Sequence, residues 1–224
     1  MCKLKSAIIL KDRIFMPDYD SHSDMLEELK IKDDYLGASK KFVRAELSPI
    51  DGDVFTDVDS WLFKVDQDIT PDWFSIDEYK PKMVEAVKGW AKEHIHIGVN
   101  SLKIDNGKNH YIKDCTAVQV YNSTVNAWGN STVNAWGNST VKARDNSTVN
   151  AWGNSTVKAR GNSTVKARDN STVMNDEYWS WYKQHTLILC DNATFKDKIG
   201  KVIYQSGAYK LISVESGKAI GESK

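Results

Sequence analysis

Residues 122–173 read NSTVNAWG NSTVNAWG NSTVKARD NSTVNAWG NSTVKARG NSTVKARD NSTV, one octapeptide repeated without a gap. A short fixed period means that each unit can bury its apolar side only by stacking on its neighbours. Within a unit the alternation is strict. Ser123, Val125 and Ala127 fall on one side of an extended strand, and Thr124, Asn126 and Trp128 on the other. Later units carry Lys142 and Arg144 in place of Asn and Trp, so the second side faces solvent and Ser, Val and Ala form the inside. The β-branched Thr-Val pair and the recurring Gly and Asn exclude a helix. Each unit ends in Gly-Asn or Asp-Asn, residues that tolerate positive φ and make tight corners. The expected fold is a parallel β-helix, an all-β solenoid.

Units three apart resemble each other more than units one or two apart. Residues stacked directly above one another should be the most alike, so the pattern favours a three-sided solenoid with 24 residues per coil over a two-sided roll. On that reading Trp128 and Trp152 share one face, Trp136 and Arg160 a second, and Arg144 and Arg168 a third. The octads alone make too few coils for a stable solenoid, so flanking sequence is expected to extend it. Upstream, Asp114 to Ala117 keeps the register and His110 to Ile112 offers a further strand. Downstream, Asp191 to Phe195 forms a degenerate unit after an insertion, Met174 to His185. Phe195, Tyr178, Trp179, Trp181 and Tyr182 are candidates for an aromatic-rich C-terminal cap.

The first hundred residues predict a separate α+β domain. Ala7 to Met16 reads as a strand pair or one long strand, Ser23 as the cap of a helix over 24–30, and Phe42–Leu47 and Val58–Val65 as antiparallel strands. After Pro81 the spacing of Met83, Val84, Val87, Trp90 and Ala91 predicts an amphipathic helix ending near His94. Helices packed on one side of the sheet are the economical arrangement. The resulting division is 1–100 for this domain, 101–121 as lead-in, 122–173 for the octads, and 174–224 for the insertion, last strand and C-terminal cap or hairpin.

Lys and Arg total 30, as do Asp and Glu. Within that balance the octads are mildly basic, with six basic and two acidic residues, and the first hundred residues mildly acidic. No apolar run is long enough to span a membrane, and Ala7 to Leu10 is too short for a signal peptide. Three widely spaced cysteines, Cys2, Cys115 and Cys190, read as free thiols and point to a cytoplasmic location.

The segments KFVRAELSPIDGDVF (41–55), WLFKVDQDITPDWF (61–74) and VEAVKGWAKEHI (84–95), followed by NSTV-A octads, resemble a family of small phage and prophage proteins. In these a compact amino-terminal domain precedes octads of variable copy number. The resemblance implies a phage or bacterial cytoplasmic origin, and no reaction or ligand comes with it.

Candidate chemistry is sparse. Asp51, Asp53, Asp57, Asp59, Asp66, Asp68 and Asp72 could gather round a hard cation, but their spacing departs from the calcium-loop pattern and reads better as polar turns. His94 and His96 could pair as ligands on a strand, but His near a helix end is commonly held there by its carbonyls. No metal or other cofactor is therefore expected. No nucleophile motif or phosphate-cradling loop occurs, so no catalytic residue is assigned and a non-enzymatic role is expected. The outward Trp128, Trp136, Trp152, Arg144, Arg160 and Arg168 are the candidate binding residues, because exposed aromatic and basic rows can mark a binding surface. The same rows can instead be ladders that tie coil to coil. The leading expectation is a non-catalytic protein whose solenoid serves as stem, binding or self-association module, with a protein partner or a second copy. Nucleic acid is disfavoured by the weak basic excess. The alternatives are an inhibitor that captures a host defence protein or small nucleotide, and an enzyme in the first domain.

Overall fold

In the amino-terminal unit, residues 1–93, strand β1 (Lys5–Leu10) folds back on β2 (Ile14–Phe15) as a hairpin. Helices α1 (His22–Glu28) and α2 (Tyr35–Lys40) follow, then β3 (Phe42–Ser48), a 3-10 turn at Val58–Ser60, β4 (Leu62–Val65) and α3 (Ile76–His94). The sheet order is β2-β1-β3-β4, antiparallel throughout. This computed structural model describes residues 4–107, 109–175, 185–196, 202–205, 210–215 and 218–221.

The α+β expectation holds, with local corrections. Ser21, not Ser23, caps α1, its Oγ accepting from the Asp24 amide at 3.3 Å. Val58–Val65 is a 3-10 turn and a short strand rather than one strand, because the Asp57 carboxylate accepts from the Asp59 amide and winds the chain. Helix α3 starts before Pro81. Both faces of the central strands are buried: Ala7, Ile8 and Ile9 are consecutive and all fully covered. Helix α1 covers the Ile8 face through Met25 and Leu26, beside Phe42. The opposite face, with Ala7, Ile9, Val43 and Leu47, carries α3, for Lys5 on that face lies 5.3 Å over the ring of Trp90, on the helix whose buried row is Tyr79, Met83, Val84 and Val87. Helices therefore lie on both sides of the sheet, not one.

The second unit, residues 94–224, is a parallel β-solenoid. Its strands are β5 (Ile95–Ile97), β6 (Lys103–Asp105), β7 (His110–Lys113), β8 (Val118–Tyr121), β9 (Thr124–Trp128), β10 (Thr132–Trp136), β11 (Thr140–Ala143), β12 (Thr148–Ala151), β13 (Thr156–Ala159), β14 (Thr164–Ala167), β15 (Thr172–Asn175), β16 (His185–Leu189) and β17 (Thr194–Lys196). Odd-numbered strands stack in one sheet and even-numbered strands in the other. Antiparallel strands β18 (Val202–Gln205), β19 (Lys210–Glu215) and β20 (Lys218–Gly221) complete the two sheets, β18 on β17 and β19–β20 on β16.

The register overturns the three-sided, 24-residue coil. Thr132 pairs with Thr148 and Val133 with Val149, while Thr140 pairs with Thr156. Each coil is two octads, one per sheet. The physical reason lies in the interior, where each of the strands β9 to β14 contributes one Val and one Ala, all fully buried. Such small side chains fill the gap between two facing sheets, whereas a triangular lumen would need bulkier groups to reach native packing density.

The inside and outside assignment stands: the octad Val and Ala residues are buried and the octad Thr residues half-exposed. The inward serines are covered too, yet satisfied. Ser131, Ser139, Ser147 and Ser155 each donate to the carbonyl three residues back, at 2.6–2.7 Å, so these four hydroxyls escape the full desolvation cost. The last unit position takes Gly or Asp because both occupy the left-handed region, Gly153 at φ 67° and Asp145 at φ 55°. There Asp adds a bond between coils, the Asp145 carboxylate accepting from the Gly129 amide at 3.1 Å and Asp169 from Gly153 at 2.8 Å.

Past the octads the pairing shifts from 16 residues to Thr164 with Thr186 and Thr172 with Thr194, so the extra chain lies between β15 and β16. In this last coil Leu187 stands opposite Val165 and Phe195 opposite Val173, and both are buried. Asp191 to Phe195 thus supplies the degenerate unit read from sequence. Of the cap candidates, Tyr178, Trp179, Trp181 and Tyr182 lie outside the described residues. Upstream, His110 to Ile112 falls on β7 as expected, and pairing begins earlier still, at Ile95 of β5.

Candidate functional site: the outward ladders

With two octads per coil, the seventh positions line up in two columns. One runs Lys113, Trp128, Arg144, Arg160 and the other Tyr121, Trp136, Trp152, Arg168, each member sixteen residues or one register step from the next. Trp136 and Trp152 stack at 5.0 Å between centroids and 6° between planes. Tyr121 stacks on the other face of Trp136 at 4.9 Å and 10°. The Arg144 guanidinium sits 5.0 Å over Trp128, and Tyr111 lies 6.0 Å from the same ring. Lys103 extends the second column over Tyr121 at 5.4 Å.

These partners differ from the three-face assignment. Trp152 meets Trp136 and not Trp128; Arg144 and Arg168 belong to different sheets; and Arg160 follows Arg144 rather than Trp136. Strand spacing of about 4.8 Å sets ring spacing close to that of an aromatic stack, so parallel in-register strands impose ladders on any planar side chain they display. All six candidate residues are half-buried.

The middle outward column adds polar rungs: Asn150 donates to Asn134 at 2.9 Å, and Asn126 to the His110 carbonyl at 3.3 Å. At one corner Asn122 accepts from the Asn138 amide at 3.0 Å, and at the other Asp114 accepts from the Asn130 amide at 2.9 Å. Chemically, then, the ladder faces inward along the coil axis. A nucleobase stacks on an open ring face, and the faces of Trp136 are already covered by Tyr121 and Trp152, while Trp128 lies between Tyr111 and Arg144.

A double-mutant cycle reads the ladder directly. Replacing Trp136 and Trp152 singly and together by Thr should reveal a coupling of about 0.5–1.5 kcal/mol. The same cycle on Trp128 and Trp152, on opposite sheets, should give a coupling near zero. Coupling confined to the second pair would restore the three-sided coil.

The remaining sequence candidates are dispersed. Asp51, Asp53, Asp57 and Asp59 do not converge. Asp53 and Asp57 instead accept from the backbone amides of Phe55 and Asp59 at 3.0 Å, which is turn chemistry. His94 and His96 do meet, around His110 of β7, which the sequence reading did not include. The rings of His94 and His110 stack at 5.0 Å and those of His96 and His110 at 5.9 Å. Cys115 and Cys190 are free and buried. Among the described residues no helix is long and apolar enough to cross a membrane.

No protein-family model matches the chain, and neither the curated proteins nor the solved structures include a significant match.

Proposed function

We propose that the chain is a non-catalytic phage or bacterial protein in which the solenoid is a rigid stem carrying an amino-terminal recognition domain for a protein partner. The observation that supports this most is the consumption of the outward groups by neighbouring coils: rings on rings, guanidinium on ring, amide on amide, carboxylate on backbone N–H. A stem needs resistance to bending, and laddered rungs on both sheets supply it.

Nucleotide capture is the weaker alternative. One polar concavity of the amino-terminal unit is lined by Asp33, Asp34 and Asp68 with Arg44 as its cation, and Arg44 is already paired with Asp33; a second is lined by Lys11, Arg13 and Lys82 with Asp12 and is the place where a phosphate would fit better. The Asp34 carboxyl is also held below its ordinary range, chiefly by the bond it accepts from the Gly37 amide. Three carboxylates repel phosphate from that first concavity.

Two measurements test the reading. Fluorescence anisotropy with single- and double-stranded DNA at physiological salt should show no micromolar binding; salt-sensitive binding lost on replacing Arg144, Arg160 and Arg168 together would make the columns a nucleic-acid site. Replacing Trp128, Trp136 and Trp152 by Thr should leave capture of host proteins by the full chain unchanged. Loss of capture in a variant that keeps its β-sheet circular dichroism would move recognition from the first domain to the solenoid.

A further inference from the structure

The densest collection of metal-ligating atoms among the described residues lies in the amino-terminal unit. His22 opens α1, Glu46 is on β3, and Asp66 follows β4; one ligand atom from each falls within 4.8 Å of the other two. His22 and Glu46 are buried, at 5% and 4% exposure, while the Asp66 side chain is 41% exposed. The β3–β4 register explains how Glu46 and Asp66 meet. Glu46 stands opposite Lys64, and the Asp66 amide continues the ladder to the Arg44 carbonyl at 2.9 Å, so Glu46, Lys64 and Asp66 share one sheet face.

The histidine is set up for one role. Its Nε2 lies 3.2 Å from the Ala45 carbonyl oxygen. A carbonyl only accepts, so Nε2 carries the proton, and Nδ1 faces Asp66 Oδ2 at 3.7 Å. This backbone tether is the arrangement that fixes ring tautomer and orientation behind a metal-bound imidazole. Nδ1, a Glu46 oxygen and Asp66 Oδ2 thus converge as three donor atoms of the kinds that bind a transition ion. Lys64 takes the other oxygen, Asp66 Oδ1, at 3.1 Å, and holds the Asp66 carboxyl ionised below its usual range.

A second, independent observation comes from the neighbouring strand. Ser6 stands directly across from Glu46 in the β1–β3 pairing and so shares its face. Its Oγ is fully buried with no hydrogen-bond partner among the described residues. A buried hydroxyl without a partner costs about 1–3 kcal/mol, and a water held on an ion beside Glu46 would satisfy it.

We infer that His22, Glu46 and Asp66 form a binding site for a divalent first-row transition ion, Zn2+ being the best fit to one imidazole and two carboxylates. Imidazole disfavours Ca2+ and Mg2+, which take oxygen ligands. Ligand atoms on a Zn2+ ion with bonds of about 2.0–2.2 Å stand roughly 3.4 Å apart, close to the Nδ1–Oδ2 separation already present. The half-exposed Asp66 is the side through which the ion enters and the ligand that swings to close on it. Three protein ligands leave a position for water, on the side where Ser6 needs a partner.

Zinc chloride titrated by calorimetry into full-length protein, stripped with EDTA and then freed of chelator, tests this, with Co2+ absorption as a second readout. One ion per chain is expected, with a raised melting temperature. Asp66→Asn, exposed and safe for folding, should weaken Zn2+ binding at least about tenfold, as should Glu46→Gln. His110→Gln, which breaks the histidine stack of the other unit, should leave it unchanged. Absence of binding tighter than millimolar, undiminished binding in Asp66→Asn, or loss of binding in His110→Gln would each overturn the site and leave the cluster as an imidazole tethered to the Ala45 carbonyl.

Discussion

Val149→Asp should unfold the solenoid, and Thr148→Asp, one residue earlier, should not. Val149 is fully buried between Val133 and Val165 of the adjacent coils. A carboxylate there has Val and Ala on every side and no cation or amide to pair with, and burying an unpaired charge costs several kcal/mol after relaxation. That is a large share of the stability of any domain of this size. Thr148 sits between Thr132 and Thr164 on the outer surface, where an Asp loses only β-propensity, about 1 kcal/mol or less. Thermal melts followed by far-ultraviolet circular dichroism distinguish the two. Equal loss in both variants would mean that inside and outside are wrongly assigned.

Deleting residues 146–161, one coil, should leave a solenoid shorter by one strand spacing, about 4.8 Å, with an unbroken sequence of corners. In the shortened chain Arg168 arrives over Trp136, and Asp169 takes the place of Gly153 above Gly137, both pairings of kinds that the parent structure already uses. Deleting only residues 150–153 removes less chain and should do far more damage. Inward and outward alternation survives, since four is even, but the remaining corner residues fall in the middle of a strand and every coil above loses its register. Cooperative melting should persist in the first variant and vanish or drop steeply in the second. A better-tolerated four-residue deletion would exclude corner-locked coils.

Much of the solenoid was legible because alternation within the octad is strict. Ser, Val and Ala could only be inside once Lys142 and Arg144 appeared among the others. Coil size was not legible, and the reason lies in particular positions. Ser, Val, Ala and Thr are the same in every octad, so they carry no information on which units stack. The entire signal came from Asn or Lys, Trp or Arg, and Gly or Asp, and these are the positions where the structure accepts unlike neighbours: Arg144 on Trp128, Asp145 beside Gly129. Resemblance is a poor guide where a cation and a ring attract each other as well as two rings do. In the first unit, α2 escaped notice because it is six residues long with a glycine inside, held by the Asp34 cap on the Gly37 amide at 2.7 Å. Of the cluster of His22, Glu46 and Asp66 only Asp66 was a sequence candidate, since the β3–β4 register and the tether of α1 to Ala45 are what bring its members together.

The equivalence of the two sheets reaches back to the gene. Both faces of the coil are built from one octad with the same inward residues, so gaining or losing a single octad advances everything after it by half a coil and returns every Val and Ala to an equivalent seat. An octad is also a whole number of codons, so slippage of a replicating strand across such a repeat stays in frame. A mutational event that would ruin most folded proteins becomes here a change of length, which selection can set in increments of half a coil without ever passing through an unfolded intermediate sequence.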